Sequence, residues 1–156
     1  MNNDIIHLRE TVLIAAESRK QGNHPFGALL VGPDGEVLIR CGNTHSLDGG
    51  PGHAEANVSR EAARRFPPDF LKTCTLYSAT EPCAMCTGAT YWAGIGKVVF
   101  GISEKRLAKL TGDNPENLTL DLECRSVLAT GRRPVEVIGP FAELEEEIVA
   151  VHKGFW

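Results

Sequence analysis

No stretch of this 156-residue chain is apolar for the ~18–20 residues that a membrane-spanning helix needs. Positive charge is also in deficit. Sixteen Lys and Arg face twenty Asp and Glu, a formal net charge of −4. Binders of polynucleotides draw much of their affinity from cationic contacts with phosphate. A small-molecule substrate is therefore expected, and nucleic acid is not expected as a partner. Two short basic runs, SREAARR and TGRRP, are the exceptions. Internal repeats, low-complexity tracts and linker-like segments are missing, so residues 1–156 are expected to form one domain. The cysteines number five, an odd count that argues for thiols or metal ligands over a disulfide framework. The N-terminus MNNDIIHLRETVLIAAESRK is amphipathic and carries acids, which fits neither a secretion signal nor a transit peptide. A cytoplasmic location is expected.

What the chain does have is helical and strand periodicity in alternation. Residues about 3–21 place Ile5, Leu8, Val12 and Ala15/Ala16 on one helical stripe. FGALLVGPDGEVLIRCG reads as a hairpin, with Pro33-Asp34-Gly35 as its turn. A helix is expected over about 52–65, stopped by Pro67-Pro68. TCTLYSA, KVVFGI and PVEVIG read as strands. CAMCTGATYWAG reads as a helix opened by Pro82, and further helices are expected near 103–110, 119–129 and over AELEEEIVAVHKGF. Strands alternating with helices predict an α/β fold with a mixed sheet.

Two short motifs carry chemistry. His53-Ala54-Glu55 opens one expected helix, and Cys83-Ala84-Met85-Cys86 opens another. Residues i and i+3 at a helix start share a face, so two thiolates there can bind one metal. The positive helix end favours the thiolate. His53, Cys83 and Cys86 make three ligands. Structural zinc sites normally close with four protein ligands, whereas catalytic sites keep three and leave a position for water. Cys41, Cys74 or Cys124 as a fourth ligand would instead make a zinc-stapled, non-enzymatic scaffold. Zinc takes the pKa of bound water from 15.7 to about 7, and Glu55 is placed to shuttle the proton released. A first-turn Glu stabilised by the helix dipole is the alternative reading of Glu55.

HAE followed by EPCAMC resembles the zinc nucleobase and nucleoside deaminases of the cytidine-deaminase superfamily, whose signature is H-x-E…P-C-x-x-C. The resemblance runs from PFGALLV to at least KVVFGIS. It implies a three-layer α/β/α sandwich around a mixed five-stranded sheet. It implies one Zn2+ per subunit on His53, Cys83 and Cys86, with Glu55 as the catalytic proton shuttle. The backbone near Ala54 and Cys83, with Glu81 close by, resembles the family's substrate-edge contacts.

Within the family, PFGA, Asn43 and GATYWA look most like bacterial guanine deaminases. That implies Phe26, Asn43 and Trp92 in a base pocket and a homodimer. Asp113 would stand for a base-reading aspartate, although Asp113-Asn114-Pro115 is equally good turn chemistry. Residues 140–156 would form a C-terminal helix and an aromatic tail, with Trp156 closing over the site or, as the alternative, tucked into a dimer interface. His24 and His45 flank the expected pocket. Guanine or a similar heterocycle is the expected substrate. Cytosine or nucleoside deamination and adenosine-to-inosine editing of tRNA are the alternatives.

Overall fold

The computed structural model describes residues 3–156; Met1 and Asn2, part of the expected domain, lie outside the described residues. Helix α1 spans Asn3–Lys20 and is followed by strands β1 (Gly27–Val31) and β2 (Val37–Gly42). A short helix α2 (His45–Asp48) leads to α3 (Ala54–Arg65) and α4 (Pro68–Leu71). Then come β3 (Thr75–Thr80), α5 (Ala84–Ala93), β4 (Lys97–Ile102) and α6 (Glu104–Thr111). Helix α7 (Cys124–Leu128), β5 (Glu136–Ile138), a 3-10 turn (Ala142–Leu144) and α8 (Glu145–His152) complete the chain.

The five strands form one sheet in the order β2-β1-β3-β4-β5. β1 pairs antiparallel with β2 and β3, while β3, β4 and β5 run parallel to one another. The sheet is mixed, as expected. Its two faces are read directly from the period of two along a strand. Ala28 and Leu30 of β1 join Val58 and Ala62 of α3 and Leu76 in one buried cluster. Leu29 and Val31 turn to the other side and meet Leu8 and Val12 of α1 and Ile148 of α8. Helices therefore cover both faces, which gives the three layers. α1 can lie this close to β1 because Gly27 has no side chain: a Cβ there would sit 2.3 Å from the Thr11 carbonyl oxygen.

This topology decides where a site can form. β3 and β4 run parallel, and β1 runs against β3. The C-terminal ends of β3 and β4, the N-terminal end of β1 and the C-terminal end of β2 thus meet at one sheet edge. In open α/β sheets, ligands bind in the crevice beyond the carboxyl ends of the strands. The ladder continues one residue past β3, where the Glu81 amide donates to the Ile102 carbonyl at 2.8 Å.

Two expectations need correction. Residues 119–129 were expected to be helical, but only Cys124–Leu128 is; residues 113–123 run as irregular chain. Leu118, Leu120 and Leu122 recur every second residue, a spacing no helix buries on one face, and all three are exposed. The short helix α4 begins at Pro68, within the pair expected only to stop α3; proline suits a first helical turn. Among the described residues, no helix is long and apolar enough to cross a membrane.

Candidate active site

Helices α3 and α5 start side by side at the sheet edge. Most N-cap positions are filled by Ser, Thr, Asp or Asn, which bond back to the helix. Here the N-caps are His53 and Cys83, both extended and neither forming a side-chain cap. Their side chains face each other instead. The His53 Nδ1 atom lies 3.5 Å from the Cys83 Sγ and 3.4 Å from the Cys86 Sγ. A tetrahedral ion at zinc's usual distances to sulfur and nitrogen would set such an S···N edge at ~3.6 Å. Both sulfur–nitrogen edges therefore already stand close to the spacing that zinc requires, and all three ligand atoms lie within 4.8 Å of one another.

The donors suit the ion chemically too. The Cys86 thiol, acting as donor, and the neighbouring His53 ring hold the Cys83 thiol well below its ordinary range. That is the direction a thiolate ligand needs. Among the described residues His53, Cys83 and Cys86 form one potential metal group, with no fourth side chain; a second potential group, His24, His45 and Glu116, lies at the rim of the adjacent cavity. Cys41, Cys74 and Cys124 are free thiols elsewhere; Cys74 is sealed in the core, and Cys124 sits beside Glu81. When bound, zinc supplies a water whose pKa falls to about 7.

Glu55 is one residue into α3 and almost fully buried. Burial pushes its carboxyl up to about 7, partly offset by the nearby His53 ring. A carboxyl titrating there can both take and give a proton near neutral pH.

Next to these residues lies a cavity of about 290 Å³. His53, Glu55 and Cys83 form its floor, and Phe26, His24 and Leu107 contribute to its walls. The irregular segment Glu116–Leu120 closes one side. Glu116 fastens that segment to the opposite rim: its Oε1 meets the His24 Nε2 at 2.9 Å and the His45 Nε2 at 3.5 Å. The two imidazoles stack at 4.2 Å.

The other expected substrate contacts are placed as follows. Ala54 is buried in the core at the first turn of α3. Phe26 lines the cavity. Glu81 lies on the wall, but both its oxygens are occupied by backbone: Oε1 accepts from the Glu104 amide at 2.9 Å and Oε2 from the Cys124 amide at 2.7 Å. Asn43 is buried behind the wall, and its Oδ1 accepts from the amides of His24 and His45. Trp92 is 85 % exposed on α5 and does not line the cavity, and neither does Asp113. Trp156 packs edge-on against His24 and touches Phe26, so it backs the wall without entering the cavity.

Two acidic cavity residues were not anticipated. Glu104 is only 5 % exposed and lines the cavity. Burial and the nearby Cys83 and Glu55 push its carboxyl up to about 8. In the sequence it looks like an ordinary first-turn acid after the Ser103 cap, which it also is: the Ser103 Oγ accepts from the Arg106 amide. Glu116 sits in a segment without periodicity and gives no sequence signal.

The chain belongs to the family of the cytidine and deoxycytidylate deaminase zinc-binding region, whose model matches residues 1–102. It is 37 % identical over 153 residues to a probable cytosine deaminase of Schizosaccharomyces pombe, covering 98 % of this chain and 92 % of that protein. It is 37 % identical over 99 residues to a guanine deaminase of Bacillus subtilis, covering 62 % of each chain. A tRNA-specific adenosine deaminase of the same organism is 35 % identical over 102 residues, covering 65 % of this chain and 63 % of that one. Among solved structures, a guanine deaminase from Nitrosomonas europaea shares the fold with a TM-score of 0.71 at 18 % identity, covering 94 % of this chain and 81 % of that one. The protein is thus a hydrolytic deaminase of the zinc-dependent class.

Proposed function

We propose that the chain removes the exocyclic amine of a free nucleobase by hydrolysis, with a single-ring, cytosine-like base ahead of guanine. The observation that carries this reading is the cavity beside His53, Glu55 and Cys83. At about 290 Å³ it is at the small end of ligand sites, which run from ~300 to 1,000 Å³. One heterocycle suits that space. The expectation of guanine drew on Phe26, Asn43 and Trp92, and of these only Phe26 lines the cavity. The similarity to a probable cytosine deaminase over 98 % of the chain points the same way.

In this reading His53, Cys83 and Cys86 hold one zinc per subunit. Glu55 accepts the proton given up by water and delivers it to the departing amine. Phe26 offers an aromatic face to the base. Trp156 and the tail steady the His24 wall from behind. Trp92 and Met85, seven residues apart on α5, are both exposed and present an apolar face that suits a homodimer. Free thiols agree with a cytoplasmic location.

A panel of cytosine, guanine, adenine, their nucleosides and a tRNA anticodon stem-loop, assayed for ammonia release, tests the proposal. Turnover of cytosine above all others is expected. Turnover of the stem-loop but of no free base would overturn the reading in favour of tRNA editing.

A further inference from the structure

Glu104 stands out among the residues of the cavity. Its side chain is buried, lines the same cavity as Glu55 and His53, and makes no hydrogen bond or ion pair with protein among the described residues. Buried carboxyls are normally paired, because an unpartnered one loses its hydration without replacement. Every other buried acid at this edge has an evident role. Glu81 holds two backbone amides, and Glu55 stands beside the metal ligands.

The position of Glu104 is also built. Its own amide is held by the Glu81 Oε1 at 2.9 Å, and the next turn is capped by Ser103. The end of β3 thus fixes the first residue of α6 in place, and with it the carboxyl that lines the cavity. A rigid backbone supporting a side chain without a protein partner is the arrangement of a ligand contact.

We infer that Glu104 is a specificity-determining residue, whose carboxyl oxygen accepts a hydrogen bond from an N–H donor on the substrate ring. A carboxyl oxygen keeps acceptor capacity in either protonation state. Leu107 and Leu118, which line the same cavity, offer no acceptor. The substrate class that follows is an aminoheterocycle with a free ring N–H at the position where a nucleoside carries its sugar. Alkylation or ribosylation of that nitrogen removes the donor and leaves the Glu104 carboxyl facing carbon. The same contact would therefore reject nucleosides. This inference rests on the free-base reading above.

The test compares wild type with Glu104→Gln and Glu104→Ala, each loaded with zinc. The substrates are the free base that wild type turns over best, its analogue methylated at the ring nitrogen, and its nucleoside. Zinc content and thermal midpoint serve as fold controls. The backbone bond from residue 104 to Glu81 survives both substitutions, so a normal midpoint is expected. The expected result is a KM for the free base raised roughly 3- to 10-fold in Glu104→Ala, the size of an ordinary net hydrogen bond. A smaller rise is expected in Glu104→Gln, and kcat should change far less than KM in both. The discrimination between free base and methylated analogue should collapse in Glu104→Ala. Equal discrimination in wild type and variants would overturn the assignment while leaving base deamination intact. Absence of turnover of any free base by wild type would overturn the functional reading, and the assignment with it.

Discussion

Replacing Glu81 with Gln separates two roles for a residue that sits on the cavity wall. In the structure Glu81 supports backbone, with one oxygen on the Glu104 amide and the other on the Cys124 amide, at 2.9 and 2.7 Å. Gln is nearly isosteric but has a single acceptor oxygen, so one of the two amides must face an NH2 group. The residue is buried, so water does not step in freely. Losing a hydrogen bond to a charged group costs about 1.5–3 kcal/mol, and the stranded donor adds to that. A total near 3 kcal/mol is expected. In a chain of this length that lowers the thermal midpoint by roughly 10 °C. α6 and α7 both start at these amides, so KM should rise as Glu104 loses its anchor. The assay is thermal and urea denaturation of the zinc-loaded protein alongside steady-state ammonia release. A Glu81→Gln protein with unchanged stability and abolished turnover would refute the reasoning, because it would make Glu81 a substrate contact.

Other outcomes follow from the same geometry. Burial holds the His152 ring down to about 4, against ~6.5 in an unfolded chain, so the unfolded state takes the proton first. Stability from this group is intact above pH 6.5 and is lost as the pH falls, by about 2 kcal/mol at pH 5. Its Nδ1 accepts from the Trp156 indole at 3.0 Å and its Nε2 is sealed without a partner, so His152→Phe should flatten this slope in urea titrations at pH 6.5 and 5. A slope equal to wild type would contradict the account. Trp92→Glu places a charge on the exposed face of α5 and should convert a dimer to monomer in sedimentation velocity, with zinc content unchanged; an unaltered sedimentation coefficient would exclude that face.

The sequence was most legible where local pattern and global fold agree. The alternation in GALLV is the alternation between the two faces of the sheet, and Pro33-Asp34-Gly35 does turn the hairpin. The metal group was legible because its spacing is set by two helix starts, which have their own signals. Asn43 shows the limit. It carries turn chemistry in the sequence, and its amide oxygen does tie the loop at His24 and His45; nothing local distinguishes that from reading a base. Trp92 shows another: helical periodicity places it on a face, but not which face meets the sheet. Glu104 and Glu116 reach the cavity through tertiary placement alone. Glu104 looks like a dipole-favoured first-turn acid, as Glu55 would without the cysteines.

Glu55→Gln, measured for zinc content and for ammonia release from the preferred base, tests the proton-shuttle role most directly. Gln keeps the shape and hydrogen-bonding capacity of the side chain but cannot carry the proton. One zinc per subunit with ammonia release reduced by at least about 10²-fold is the predicted result. Full zinc with turnover equal to wild type would contradict it.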